Sequence, residues 1–165
     1  MALVINMIIN KLLTNYCYMK QLGLYFITVL LGTLVFFGIG YIVFELLLGT
    51  YTEAHTTHIA GFKKSANDFS FLFLTVSCAA YAILLTFILI RLLAEKRVVK
   101  AFLISSLTGM LIAVMTDTYW YASSYFYNDL LVLGADVLAA GLTVGFLGAT
   151  VVAVYNTLSR LWSIV

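Results

Sequence analysis

Four acidic side chains lie within or at the ends of long apolar stretches, where a carboxylate is costly to place. Glu45 stands between YIVF and LLLG, Asp117 lies near the end of a third apolar stretch, and Asp129 and Asp136 open a fourth. Asp129, Asp136 and Thr143 are spaced by seven, which keeps them within about 20° of one another on a helix. Because charges in membrane helices usually face a bundle interior or water, these acids could converge on one cation- or proton-binding pocket.

The same acids have a second interpretation that needs no pocket. Glu45 and Asp117 would reach the membrane interface, Asp129 would cap a helix, and Asp136 would be protonated or bonded to a neighbouring hydroxyl. If they do share a pocket, we expect at least one carboxyl group to hold its proton near neutral pH, because desolvation and like charge both disfavour ionisation. A lysine of the preceding linker or a bound cation would be another source of positive charge.

Two further arrangements could support chemistry, and both are weak. The segment EAHTTH supplies Glu53, His55 and His58, and histidines three residues apart share one face of a helical turn and can bind a metal. The alternative is that they are solvated loop residues. An aspartyl hydrolase would use two carboxyl groups that share a proton, and Asp117 with Asp136 is the available pair. The flanking motifs of intramembrane peptidases are missing from the sequence, so we predict no enzyme and no cofactor.

The elements that carry these residues are long apolar helices. The chain is 64% hydrophobic and 10% charged, against about 45–50% and about 25% in soluble domains. Residues 22–49, 69–93, 98–121 and 130–155 each exceed the roughly 20 residues that cross a bilayer as a helix. We therefore predict an all-α integral membrane four-helix bundle. Residues 1–21 would be an N-terminal interfacial segment, or an extension upstream of a start at Met19. The lipid bilayer is the expected partner, and no motif indicates nucleic acid.

The distribution of basic residues predicts the orientation of the bundle. With four spans, both termini and the second linker lie on one side of the membrane. That side holds most of the lysines and arginines, and the other side holds only two: Lys11, Lys20, Arg91, Lys96, Arg97, Lys100 and Arg160 against Lys63 and Lys64. The excess of positive charge on cytoplasmic loops predicts an N-in, C-in topology.

Small residues recur at helical spacing in the third and fourth stretches. Small side chains let helix backbones approach closely in lipid, so we predict that these stripes pack against other helices, within the bundle or across a dimer. The same face could instead line a narrow pathway. The stripes are Ser105, Gly109 and Ala113 in the third stretch, and Gly134, Gly141, Gly145 and Gly148 in the fourth.

Residues 32–156 resemble small four-span bacterial inner-membrane proteins of an uncharacterised family. The features that carry this resemblance are FFGIGYIVFELLLG, FLFLTVSCAAYAILLTFIL, GMLIAVMTDTYWY and GADVLAAGLTVGFLGATVVAVYN. The resemblance implies a compact four-helix fold in a bacterial inner membrane and supplies no activity.

Two functional classes follow from the sequence. The first is a non-enzymatic accessory or interaction subunit of a larger membrane assembly, or a homo-oligomer. The alternative is a small cation- or proton-coupled transporter or channel that uses an outward-facing acidic pocket. We favour the first, because Glu45, Asp117 and Asp136 reach only the outer half of the bundle and the inner half has few polar residues.

Overall fold

The protein consists of helices joined by short connections. A computed structural model describes residues 2–57, 70–124, 126, 127 and 129–163, with side chains from Tyr18 to Trp162. Helix α1 (Ala2–Gly40) continues into a π-helical segment (Tyr41–Leu47) and is followed by α2 (Gly49–His55). Helix α3 (Phe71–Thr86) continues into a second π-helical segment (Phe87–Leu92). The last two helices are α4 (Val98–Ser123) and α5 (Leu130–Ser163).

Among the residues that the structure describes, four helices are long and apolar enough to cross a membrane, as the sequence predicted. They are Tyr18–Leu47, Phe71–Leu92, Val98–Ser123 and Leu130–Trp162. The all-α fold with four apolar spans is therefore confirmed. Two boundaries differ from the predicted ones. Helix α1 has no break near residue 21, so the N-terminal segment is continuous with the first span. Helix α5 continues past residue 155 to Ser163.

Helix α5 is the centre of the bundle. It packs against α1, α3 and α4, while α1 also packs against α3, and α4 reaches the other helices chiefly through α5. The core between α1, α3 and α5 is filled by Leu85, Leu89, Leu147 and Val151, which are fully buried. Large aliphatic side chains occupy the space where these three helices meet, so this interface is closed.

Two π-helical segments end the first two spans. In each, a backbone N–H bonds the carbonyl five residues earlier: Leu48 N to Val43 O at 3.0 Å, and Leu93 N to Ile88 O at 3.0 Å. The chain contains no proline, so these wide turns, and not proline kinks, alter the helices there. Residues after the start of each segment point in directions that regular α-helical spacing does not predict.

The tight connection between α3 and α4 is organised by one carboxylate. Ala94 adopts a left-handed conformation with φ 47°, which turns the chain. Glu95 Oε1 then accepts hydrogen bonds from the backbone N–H groups of Lys96 (3.0 Å) and Arg97 (2.9 Å), and Glu95 Oε2 pairs with Lys100 at 3.0 Å. The Arg97 N–H bond and the Lys100 ammonium hold the pKa of Glu95 below its usual range. We call this side of the bundle, residues 94–97 with the last turns of α5, the hairpin end.

Two further hydrogen bonds join helices α1 and α5 to the hairpin end. The Asn156 side chain donates to the carbonyl of Lys96 at 2.8 Å, and Lys20 donates to the carbonyl of Trp162. The first bond ties α5 to the turn before α4, and the second ties α1 to the end of α5. These contacts place the start of the first span and the end of the fourth at one level.

Segments from two different connections meet at the opposite side of the bundle. Thr57 N donates to Phe126 O at 2.9 Å, and Thr56 and Tyr127 form an antiparallel bridge. We call this side, which carries residues 56, 57, 126 and 127, the loop end. The connection after α2 and the connection between α4 and α5 are thus joined through their backbones.

Candidate functional site

The antiparallel register of α4 and α5 brings two acids together. Close approaches join Gly148 to Ser105 and Gly141 to Met110, so moving toward the start of α5 means moving toward the end of α4. Continuing that register places Asp136 opposite Asp117, and their carboxyl groups interact in the structure.

The Asp117 carboxyl group is buried and incompletely bonded. The residue is 6% exposed, and its Oδ2 has no hydrogen-bond partner. Its Oδ1 lies 3.4 Å from Thr116 Oγ1, a long hydrogen bond. Two ionised carboxylates are acceptors only, so a contact between them is a hydrogen bond only when one carries a proton. A buried polar atom without a partner is rare in native structures and asks for an explanation.

Tyr127, at the loop end, interacts with both carboxyl groups of the acidic pair. Burial raises the pKa of the Tyr127 phenol, and the negative charges of Asp136 and Asp117 raise it further, so the phenol stays neutral and can donate. The sequence analysis did not single out this residue. Its position in the sequence could have identified it: Tyr127 lies two residues before Asp129, in a short connection that keeps its side chain near the ends of α4 and α5.

Helix length sets the distance between the acidic pair and the hairpin end. About 20 residues of helix separate Asn156, at the hairpin end, from Asp136, which is roughly 30 Å. Helix α4 gives a similar rise of roughly 28 Å between Val98 and Asp117. The hydrocarbon core of a bilayer is about 30 Å thick. If the hairpin end lies at one boundary, the pair lies near the other, where acids are less costly than at the bilayer centre.

The α4–α5 contact below the pair is closed. A Cβ atom built on Gly109 would lie 2.7 Å from Val144 Cβ and 2.9 Å from Ala140 O, closer than real Cβ contacts. One built on Gly141 would lie 2.6 Å from Met110 Cγ. The two backbones therefore meet without space between them for a water molecule or an ion.

The predicted small-residue stripes occupy this contact, with one exception. Ser105, Gly109 and Ala113 are buried on the face of α4 that contacts α5. On α5, Gly145 and Gly148 lie against Ser106 and Ser105, and Gly141 against Met110. Gly134 does not take part: it is exposed, and no atom lies within 4 Å of a Cβ built there.

The other two candidate acids are not joined to the pair. Glu45 lies in the first π-helical segment and is exposed. Within the described parts of the chain, no hydrogen bond or ion pair links it to Asp117 or Asp136. Asp129 Oδ1 accepts a hydrogen bond from Leu131 N at 3.0 Å, so it caps the start of α5. The structure thus brings together two of the four predicted acids.

The predicted histidine cluster is only partly described. His55 Nδ1 lies 2.9 Å from Tyr51 O, and the two rings are 4.4 Å apart, so that nitrogen is engaged within α2. Glu53 is exposed, and His58 lies outside the described residues. Among the residues that the structure does describe, no group of three His, Cys, Asp or Glu side chains is placed to hold a metal ion.

No protein-family model, curated protein or solved structure matches the chain. The length and composition of the helices support a multi-pass membrane protein with four apolar helices among the described residues. The resemblance to a bacterial four-span family remains an expectation.

Proposed function

We propose that this chain is a non-enzymatic accessory or interaction subunit of a bacterial inner-membrane assembly, with both termini in the cytoplasm. The observation that supports this proposal is the closed α4–α5 contact, where Gly109 meets Val144 and Ala140. It lies between the acidic pair and the hairpin end. A route from the pair through this contact to the other side is blocked.

The remaining interior supports the same proposal. Fully buried Leu85, Leu89 and Leu147 fill the space where α1, α3 and α5 meet. The buried hydroxyls of Thr28 and Thr143 donate to carbonyls four residues earlier in their own helices, at 2.7 Å and 2.8 Å. Such local bonds leave these groups unavailable to line a pathway.

Helix α4 offers a surface for assembly. Apolar side chains that are 59–67% exposed recur every four residues on its outer face: Leu103, Leu107, Leu111 and Met115. In a membrane this face contacts lipid or a helix of another subunit. Because α4 packs mainly on α5, this outer face stays free for a partner, which would be a second copy or a different membrane protein.

Site-directed crosslinking tests the proposal in native membranes. We would replace Cys17 and Cys78 by alanine and introduce Leu107→Cys on α4, with Leu72→Cys as the matched control on the exposed end of α3. The proposal predicts a crosslinked product at position 107, to a second copy or to one defined membrane protein identified by mass spectrometry. Position 72 should give much less. Equal, weak reaction at both positions would contradict an interface on α4.

The transporter alternative is kept because one observation favours it, the unpartnered Asp117 Oδ2 beside Asp136. Purified protein in liposomes distinguishes the two functions. The accessory-subunit proposal predicts no cation or proton flux above that of empty liposomes. A flux that is lost in Asp117→Asn would establish the transporter instead.

A further inference from the structure

The acidic pair, Tyr127 and the paired connections form one continuous set of contacts at the loop end. Asp117 on α4 meets Asp136 on α5, and Tyr127 lies over both carboxyl groups. Tyr127 in turn bridges Thr56. We propose that a proton shared by Asp117 and Asp136 holds the loop end closed, and that loss of this proton to water opens it.

The first argument is the bonding of the two carboxyl groups. As carboxylates, both would present only acceptors to each other, and Asp117 Oδ2, on a residue that is 94% buried, has no donor. One proton on either group turns the contact into an O–H···O hydrogen bond between an acid and a carboxylate, which is short and strong. Its release to water leaves two negative charges in contact.

The second argument is the charge of the surroundings. The basic residues whose side chains the structure describes lie toward the hairpin end, among them Lys20, Lys96, Lys100 and Arg160. Among the described side chains at the loop end, the other titratable groups are acids, tyrosines and one histidine: Glu45 and Glu53, both exposed, Asp129, Tyr51, Tyr119, Tyr121, Tyr127, and His55, which is engaged with Tyr51. Lys63 and Lys64 of the connection after α2 lie outside the described residues. Among the described residues, no cation offsets the repulsion between two ionised carboxylates.

The third argument is how the repulsion would be transmitted. Below the pair, the two helices are fixed by the contact at Gly109, whereas nothing approaches within 4 Å of a Cβ built at Gly134, near the start of α5. Repulsion between the carboxylates therefore acts on the ends of α4 and α5 that lie beyond the Gly109 contact. Tyr127 lies in the connection between these ends, so their separation pulls it away from Thr56.

The experiment measures the distance between the two connected segments as pH changes. Spin labels are placed on Ala54→Cys at the end of α2 and Ser123→Cys at the end of α4, both exposed, in a chain without native cysteines. We expect a short distance at about pH 5 and a longer one at about pH 9. In Asp136→Asn the amide donates to Asp117 permanently, so the distance should stay short. Asp129→Asn, which removes a carboxylate at the same end but outside the pair, should respond like the parent chain.

Three outcomes would overturn the proposal. The distance in the parent chain does not change with pH, or Asp136→Asn retains the full response, or Asp129→Asn abolishes it. A further arm adds Mg²⁺ or Ca²⁺ at about pH 9; restoration of the short distance would show that a metal ion, and not a proton, closes the pair.

A second measurement covers the case in which Asp136→Asn fails to fold. Infrared difference spectra of the parent chain should show the carbonyl band of a protonated carboxylic acid that disappears as pH rises, together with the change in distance. Asp117→Asn should remove this band and Asp129→Asn should keep it. Absence of the band in the parent chain would refute the shared proton without any variant.

Discussion

Alanine substitutions at two glycines separate helix packing from helix propensity. Gly109 and Gly134 both lie inside helices, so each gains about 1 kcal/mol of intrinsic helix stability on replacement by alanine. Only Gly109 meets obstacles: its new Cβ would lie 2.7 Å from Val144 Cβ and 2.9 Å from Ala140 O, while nothing lies within 4 Å at Gly134. The difference between the two variants therefore isolates the packing cost.

That cost is of the size expected for overpacking. The obstructing atoms at Gly109 are a β-carbon and a backbone carbonyl, which move only if the helices separate. Inserting a methyl group into such a contact costs about 1–3 kcal/mol. We expect Gly109→Ala to unfold more easily than Gly134→Ala by about this amount, in titrations of detergent-solubilised protein followed by circular dichroism. A difference near zero would mean that α4 and α5 are not held at this spacing.

The same contact predicts a ranking of the other glycines. Gly141→Ala meets the flexible end of Met110, at 2.6 Å from Cγ and 2.7 Å from Cε, and this side chain can turn aside. Gly148→Ala meets Ser105 Cβ at 2.5 Å and the backbone carbonyl of Ala101 at 3.0 Å. Gly148→Ala should therefore be clearly the more destabilising of the two. The reverse order would argue against the register of the two helices.

Two other predictions concern the ends of the bundle. Thr56→Cys and Lys96→Cys are made in a chain without native cysteines. Thr56→Cys should react with an impermeant thiol reagent added outside intact inner membranes, and Lys96→Cys should react only after the membrane is opened. The opposite pattern would reverse the N-in, C-in orientation. The pKa of Glu95 is lowered in the folded chain, so its hydrogen bonds and its pairing with Lys100 stabilise the fold at neutral pH. This contribution is lost as pH falls through the folded-state pKa, which lies below the usual carboxyl range of about 4. Glu95→Gln should accordingly lower the melting temperature at neutral pH and much less in acid, and an equal loss at both would contradict this account.

The number of spans and the packed face of α4 followed from sequence because each rests on an uninterrupted local pattern. Ser105, Gly109, Ala113 and Asp117 are spaced by four in one regular helix (Val98–Ser123), so they keep a common face. All four are buried. Periodicity predicts such positions well because no π-helical turn interrupts the regular spacing of this helix.

The placement of Glu45 could not be predicted in this way. Regular α-helical spacing puts Gly38, Tyr41, Glu45 and Gly49 roughly on one face, and one of the two interpretations of the sequence placed Glu45 in a pocket with the other acids. In the structure, the π-helical segment begins at Tyr41, and its wider turns change the direction of each following side chain. Tyr41 is 56% exposed and nothing lies within 4 Å of a Cβ at Gly38, so this face of α1 already points away from the bundle before the wide turns begin. The apolar sequence YIVFELL carries no proline or other signal for this change.

Tyr127 was missed for a different reason. Its position over the acids depends on the pairing of residues 56–57 with 126–127, which are about 70 residues apart. Such a long-range contact between irregular segments leaves no periodic pattern.

Gly134 was included in the small-residue stripe because it lies on the same face of α5 as the other three glycines. It lies beyond the region where α4 approaches α5 closely, and helical spacing predicts the face of a residue but not its distance from a neighbouring helix.

The glycine contact and the acidic pair belong to one arrangement. Two acids on separate membrane helices would ordinarily repel, and each would turn toward water. Here the close approach at Gly109 fixes the spacing of α4 and α5, and the helix register then leaves Asp117 facing Asp136. The packing of a long interface of small residues thus holds an unfavourable pair in place at one end. A pair held in this way responds to protonation, because the two carboxyl groups cannot both turn toward water when they lose their shared proton.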